Sequence, residues 1–102
     1  MQVKTFIKRD IAKIVSKNLN TSIRKSVLYT DEVFNAVREL LCKDDDYIRV
    51  EIRNFGVIES KPAKAKPKAR NPRTNEEIFV PAHKKTHFKP GKLLKEHLKK
   101  PI

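Results

Sequence analysis

Three histidines, one cysteine and scattered carboxylates are the side chains here with the chemistry for catalysis or metal binding. His83 and His87 stand four residues apart, a spacing that brings two imidazoles together on a helix. The residues around them read as extended, where that spacing does not converge, and neither cysteine nor paired carboxylates accompany them. No metal, no cofactor and no catalytic site are expected, and the chain does not read as an enzyme. Cys42 has no second cysteine to pair with; it falls on an apolar helical stripe and reads as a core residue. Two glycines are too few for a Gly-rich phosphate loop, and neither G-x-G-x-x-G nor a P-loop is present.

What the sequence has in quantity is cation. Lys+Arg number 24 against 12 Asp+Glu in 102 residues, a formal charge of +12. The excess is segregated: residues 1–52 hold 10 basic and 8 acidic residues, residues 53–102 hold 14 and 4. The run KPAKAKPKARNPR (61–73) carries six basic residues and no acid. Solubility alone does not require single-sign charge gathered in one half, so the pattern points to a scaffold bearing a polyanion-binding surface. No apolar run approaches the ~18 residues of a membrane span. The first ten residues, MQVKTFIKRD, lack the apolar stretch of a secretory signal, so an intracellular protein with no membrane partner is expected.

The elements that must carry this surface follow from periodicity. Ile7, Ile11, Ile14 and Val15 fall on one stripe, predicting a helix over 7–19. Thr21 or Ser22 offers an N-cap for a second helix reaching Cys42, roughly 30 Å long at 1.5 Å per residue. Its stripe of Ile23, Val27, Phe34, Val37 and Leu41, widened by Val33 and Leu40, is broader than one small neighbour covers and implies a second chain. Lys43 to Asp46 reads as a turn. Ile48, Val50 and Ile52 then alternate with Arg49, Glu51 and Arg53, a half-buried strand. Asn54-Phe55-Gly56 predicts a hairpin turn, because Asn and Gly tolerate positive φ, and Val57 begins the return. Pro62, Pro67, Pro72 and Pro81 bar a central strand over 61–87, which leaves disorder or a two-stranded ribbon with free edges; Glu77-Ile78-Phe79-Val80 favours the ribbon, its tip at Asn71–Asn75. Pro90 suits the first turn of a short C-terminal helix carrying Leu93, Leu94 and Leu98.

Arg70-Asn71-Pro72-Arg73-Thr74, then Glu76-Glu77-Ile78, then Phe88-Lys89-Pro90-Gly91-Lys92, closely resemble the signature of the bacterial HU and integration host factor family. The resemblance covers about residues 8 to 99. It implies an α+β fold: two N-terminal helices, a three-stranded antiparallel sheet with a protruding β-ribbon arm, and a short C-terminal helix, in an intertwined dimer. The implied organisation is one domain, with a helical dimerisation body at 8–45, saddle strands at 47–60, the arm at 61–87, and the C-terminal helix and tail at 88–102. Phe34, Val37, Leu41, Phe55 and Phe88 are expected in the dimer core, of a homodimer or a heterodimer. The implied partner is double-stranded DNA, met through minor groove and phosphate backbone, and the implied location is the cytoplasmic nucleoid.

The implied function is architectural: DNA is bent or compacted with little sequence specificity. Pro72, rigid and lacking a donor, is the expected wedge between base pairs. Arg70, Asn71, Arg73 and Thr74 flank it. Lys61, Lys64, Lys66 and Lys68 line the outgoing arm, and Lys84, Lys85, Lys89 and Lys92 its base. Glu51-Ile52-Arg53 resembles the beta subunit of integration host factor, which implies an alternative, sequence-preferring mode through Glu51 and Arg53; strand alternation with a local charge pair explains the same residues. A basic RNA-binding protein is a more distant alternative, disfavoured by the lack of clustered aromatics for stacking unpaired bases. The sequence departs from the family pattern at Asn54 and Asn75, both usually glycine, and its arm before Arg70 is about one residue longer.

Overall fold

The computed structural model of the chain describes residues 2–64 and 66–102. The elements in chain order are α1 (Lys8–Leu19), α2 (Ile23–Leu41), β1 (Ile48–Ile52), β2 (Gly56–Ala63), β3 (Lys66–Arg70), β4 (Glu77–Val80), β5 (His83–Pro90) and α3 (Lys92–Leu98). They fall into two compact units, Met1–Glu39 and Leu40–Ile102. The fold is α+β, as the sequence predicts.

In the first unit, local chemistry fixes the helix ends. Asp10 Oδ2 accepts from the Ile7 backbone N–H at 2.8 Å and satisfies a free donor at the start of α1. Asn20 closes α1 in the left-handed region (φ 51), with Thr21 N–H donating back to Ser16 O at 3.0 Å. Ser22 caps α2: its Oγ accepts from Lys25 N–H at 3.2 Å. Ala12, Ser16, Ser26 and Thr30 are the buried residues of the two helices, small enough for close approach. The larger apolar residues are left uncovered. Phe34 is 43% exposed, and Ile11, Ile14, Leu28 and Val33 are exposed as well. Cys42 is exposed too, contrary to its reading as core: α2 ends at Leu41, so the cysteine lies past the last turn and leaves the stripe.

In the second unit, β1, β2 and β5 form an antiparallel sheet in the order β1-β2-β5. Register places Val50 opposite Ile58 and Ile58 opposite Phe88, and Arg49 opposite Glu59 and Glu59 opposite His87. Strand alternation therefore gives one face Ile48, Val50, Ile52, Ile58 and Phe88, and the other Arg49, Glu59, Lys61, Lys85 and Lys89. Pro62 is accommodated in β2 because β1 stops at the Ile48–Ser60 pair, which frees that edge of the strand.

Two sequence expectations change here. Pro90 ends β5 opposite Gly56 and does not start the helix; Gly91 is the N-cap of α3 and Lys92 its first residue. The strand therefore runs through Phe88 to Pro90, inside the stretch expected to be C-terminal helix. Positive φ in the β1–β2 turn belongs to Asn54 (φ 66) and not to Gly56. Glycine is required at 56 for a different reason: a Cβ there would sit 2.5 Å from Lys89 O and 2.7 Å from the Phe88 ring. That close approach lets Phe55 and Phe88 pack with ring centroids 5.2 Å apart.

Candidate nucleic-acid interface

β3 and β4 form a separate two-stranded antiparallel ribbon, pairing Lys66 with Val80, Ala69 with Ile78 and Arg70 with Glu77. Between Lys66 and Ala69 the register shifts. Three steps along β3 face two along β4, the mismatch that a β-bulge makes.

The tip is fastened by its own polar groups. Asn71 N–H donates to Glu76 O at 2.8 Å, and Asn75 N–H to Asn71 O at 2.7 Å. The Asn71 side chain accepts from Arg73 N–H at 3.0 Å, an Asx-type turn, and Thr74 Oγ1 accepts from Glu76 N–H at 3.4 Å. Asn75 takes the left-handed conformation (φ 59), which asparagine tolerates better than most residues bearing a side chain. Pro72 sits exposed within this turn and contributes no backbone donor.

The cations divide by what they already touch. Arg70 is held along the ribbon, donating to Asn75 Oδ1 at 3.1 Å and lying 3.8 Å from Glu77 Oε1. Arg73 is exposed and makes no ion pair among the described residues. Lys61 and Lys85 are direct cross-strand partners on the charged face of the three-stranded sheet, and Lys89 lies further along β5 on that face. Lys84 falls on the opposite face, where its ammonium donates to the backbone carbonyls of Lys43 (3.2 Å) and Asp45 (2.8 Å). Lys84 and Lys85 are neighbours in sequence, and strand alternation puts them on opposite faces. Lys64 follows β2 and is exposed, while the side chains of Lys66 and Lys68 lie outside the described residues.

Arg53 and Lys92 line one hollow with Glu51, Asn54 and Phe55. Glu51 pairs with Arg49 at 3.4 Å, which leaves Arg53 without an ion pair among the described residues. Of the residues expected in a dimer core, Phe34, Phe55 (46%) and Phe88 are exposed in the single chain, and Val37 and Leu41 are half-buried.

Two acids lie on the basic face: exposed Glu51, paired with Arg49, and Glu59, which the sequence does not single out. Glu59, on the central strand, is 0% exposed, with Lys89 Nζ 2.8 Å from Oε1 and the Tyr47 hydroxyl donating to Oε2. The Lys89 ammonium beside it holds its carboxyl below the usual carboxylate range; burial opposes this, and the charges of Lys61 and His87 add to the lowering. Its place in the β1–β2–β5 register was the available signal: the residues opposite it are Arg49 and His87.

Comparison with known proteins agrees with this architecture. Residues 6–99 match the family described as Bacterial DNA-binding protein. The chain is 36% identical over 92 residues to the DNA-binding protein HU of Geobacillus stearothermophilus, covering 90% of this chain and 98% of that one. It is 37% identical over 89 residues to the SPbeta prophage-derived DNA-binding protein HU 2 of Bacillus subtilis, covering 87% and 91%. The fold superposes on the Anabaena HU–DNA cocrystal structure with a TM-score of 0.80 at 26% identity, over 94% of this chain and 100% of that one. With a basic sheet face, a hydrogen-bonded ribbon tip and matches of this extent, the chain belongs to the HU family of bacterial DNA-binding proteins.

Proposed function

We propose that this protein is an architectural double-stranded DNA-binding protein of the bacterial nucleoid, acting as a dimer and bending the duplex from its minor groove. The observation that carries the reading is the ribbon tip. Pro72 stands exposed in a turn pinned by hydrogen bonds on both sides, with Arg73 free beside it. A proline ring presented this way is a rigid apolar wedge. HU and integration host factor are known examples of architectural binders that unstack a base step in the minor groove, at a cost of about a few kcal/mol. The bent duplex returns that energy by meeting more cationic surface.

Lys61, Lys64 and Lys85 supply phosphate contacts that carry no sequence information, which favours binding with little specificity. Dimerisation is supported by the uncovered stripe on the helices, where Phe34, Val33 and Ile11 face no neighbour able to cover them within their own unit. A sequence-preferring mode is supported by one observation, the exposed Arg53 released from Glu51 by Arg49.

The test is energy transfer between the ends of a duplex, measured with the wild-type protein and with Pro72→Ala. Bending falls in the variant by more than affinity does. Unchanged bending refutes the wedge. Recovery from a random-sequence library separates the two modes: even recovery supports the unspecific one, and an enriched motif lost in Arg53→Ala supports the other.

A further inference from the structure

The charged face of the β1-β2-β5 sheet holds a carboxylate beneath its lysines. Glu59 is fully buried at the centre of that sheet, flanked by Arg49 on β1 and His87 on β5. Tyr47, just before β1, donates its hydroxyl to Oε2, and Lys89 of β5 brings its ammonium to 2.8 Å from Oε1. Groups from both outer strands thus converge on one acid of the middle strand. A buried carboxylate is strongly disfavoured unless paired. Here the partner is drawn from the surface: the Lys89 side chain is 55% exposed, so its ammonium lies at the boundary between the buried acid and solvent. The approach is close but off the hydrogen-bonding direction, since Oε1 has no aligned donor among the described residues.

We infer that Glu59 is an internal substitute for a DNA phosphate, which withholds Lys89 from the duplex and so sets how strongly, and with what salt dependence, this protein binds DNA. The inference deepens the DNA-binding reading above and rests on it. A phosphate arriving at free Lys61 or Lys85 meets a net positive charge and releases condensed counterions. A phosphate arriving at Lys89 meets an ammonium already neutralised by a carboxylate, so it releases few. The lysine is on the face, yet it does not count as a contact.

The experiment measures binding of a random-sequence duplex by fluorescence anisotropy over roughly 50 to 200 mM salt, where each phosphate contact contributes about 0.9 to the log–log slope. Glu59→Gln keeps the size of the side chain and still accepts from Tyr47. Its slope steepens by about 0.9 per chain, and its affinity at the low-salt end rises roughly tenfold more than at the high-salt end for a two-chain assembly. Lys89→Ala alone leaves the wild-type slope in place, and the double variant returns to it. An unaltered slope in Glu59→Gln overturns the inference. So does a lowered slope in Lys89→Ala, and that arm decides the matter even if Glu59→Gln fails to fold. Absence of duplex binding by the wild-type protein overturns the DNA-binding reading itself, an outcome distinct from these because no variant then has a slope to compare.

Discussion

Lys61 and Lys85 give the most direct test of how the sheet meets DNA. They are Cα partners across β2 and β5, on the same face, and neither forms an ion pair among the described residues. If both reach phosphate, the double variant Lys61→Ala/Lys85→Ala removes two contacts per chain and four in the proposed dimer. At about 0.9 per contact, the log–log dependence of affinity on salt flattens by about 3.6. Between roughly 50 and 200 mM salt each contact accounts for about half a decade of affinity, so about two decades of salt sensitivity disappear. The same substitution removes two like charges placed directly opposite each other, an arrangement that disfavours strand pairing. Folding stability should therefore stay within about 0.5 kcal/mol of wild type or rise slightly. Anisotropy titrations across the salt series and urea unfolding of the free protein give the two numbers. A slope equal to that of wild type, with stability retained, means that this face does not touch phosphate.

Gly56→Ala forces a methyl against Lys89 O and the Phe88 ring, and should cost about 1–3 kcal/mol in urea unfolding as β5 shifts; an unperturbed midpoint would show that the strands separate freely there. Ser22→Ala removes the cap of α2 and should cost about 1 kcal/mol, with Ser22→Asp largely restoring it. The Glu59 carboxyl titrates lower in the folded chain than in the unfolded one, so its stabilising contribution is complete above the ordinary carboxylate range. It is lost as pH falls through the lowered folded-state value. Urea midpoints followed downward from neutral pH should therefore fall less steeply in Glu59→Gln than in wild type; parallel curves would remove Glu59 from the acid response.

Much of this architecture is legible from spacing alone. The change from helical period to period two at Ile48 marks β1, and the prolines mark where β2 must leave a neighbour behind. The turn residues Asn54 and Asn75 both adopt the left-handed φ that their chemistry permits. The register shift between Lys66 and Ala69, by contrast, has no signature in spacing alone. What spacing misses depends on three-dimensional neighbours. Gly56 looks like a turn glycine, yet its constraint comes from the Lys89 carbonyl and the Phe88 ring, 32 or more residues away in sequence. Pro90 fits a helix start equally well as a strand end; pairing with Gly56 decides it. Lys84 and Lys85 are indistinguishable as letters, and only strand register sends one to the loop carbonyls and the other to the charged face.

That separation bears on how the function is read. A count of basic residues treats every lysine of the C-terminal half as a phosphate contact, but among the described residues of that half three cations have internal work. Lys84 ties β5 to the loop after α2, Arg70 braces the ribbon tip through Asn75 and Glu77, and Lys89 neutralises Glu59. Lys61, Lys64, Lys85 and Arg73 do not share these roles. The protein thus spends part of its charge on stiffening the parts that present the remainder. For the wedge proposed above this matters, because an inserting Pro72 needs a turn behind it that does not yield, and the described contacts of that turn are polar. Hydrogen bonds involving Asn71, Thr74, Asn75 and Arg70 are what hold its shape. Loosening it through Asn71 should reduce bending even with Pro72 in place.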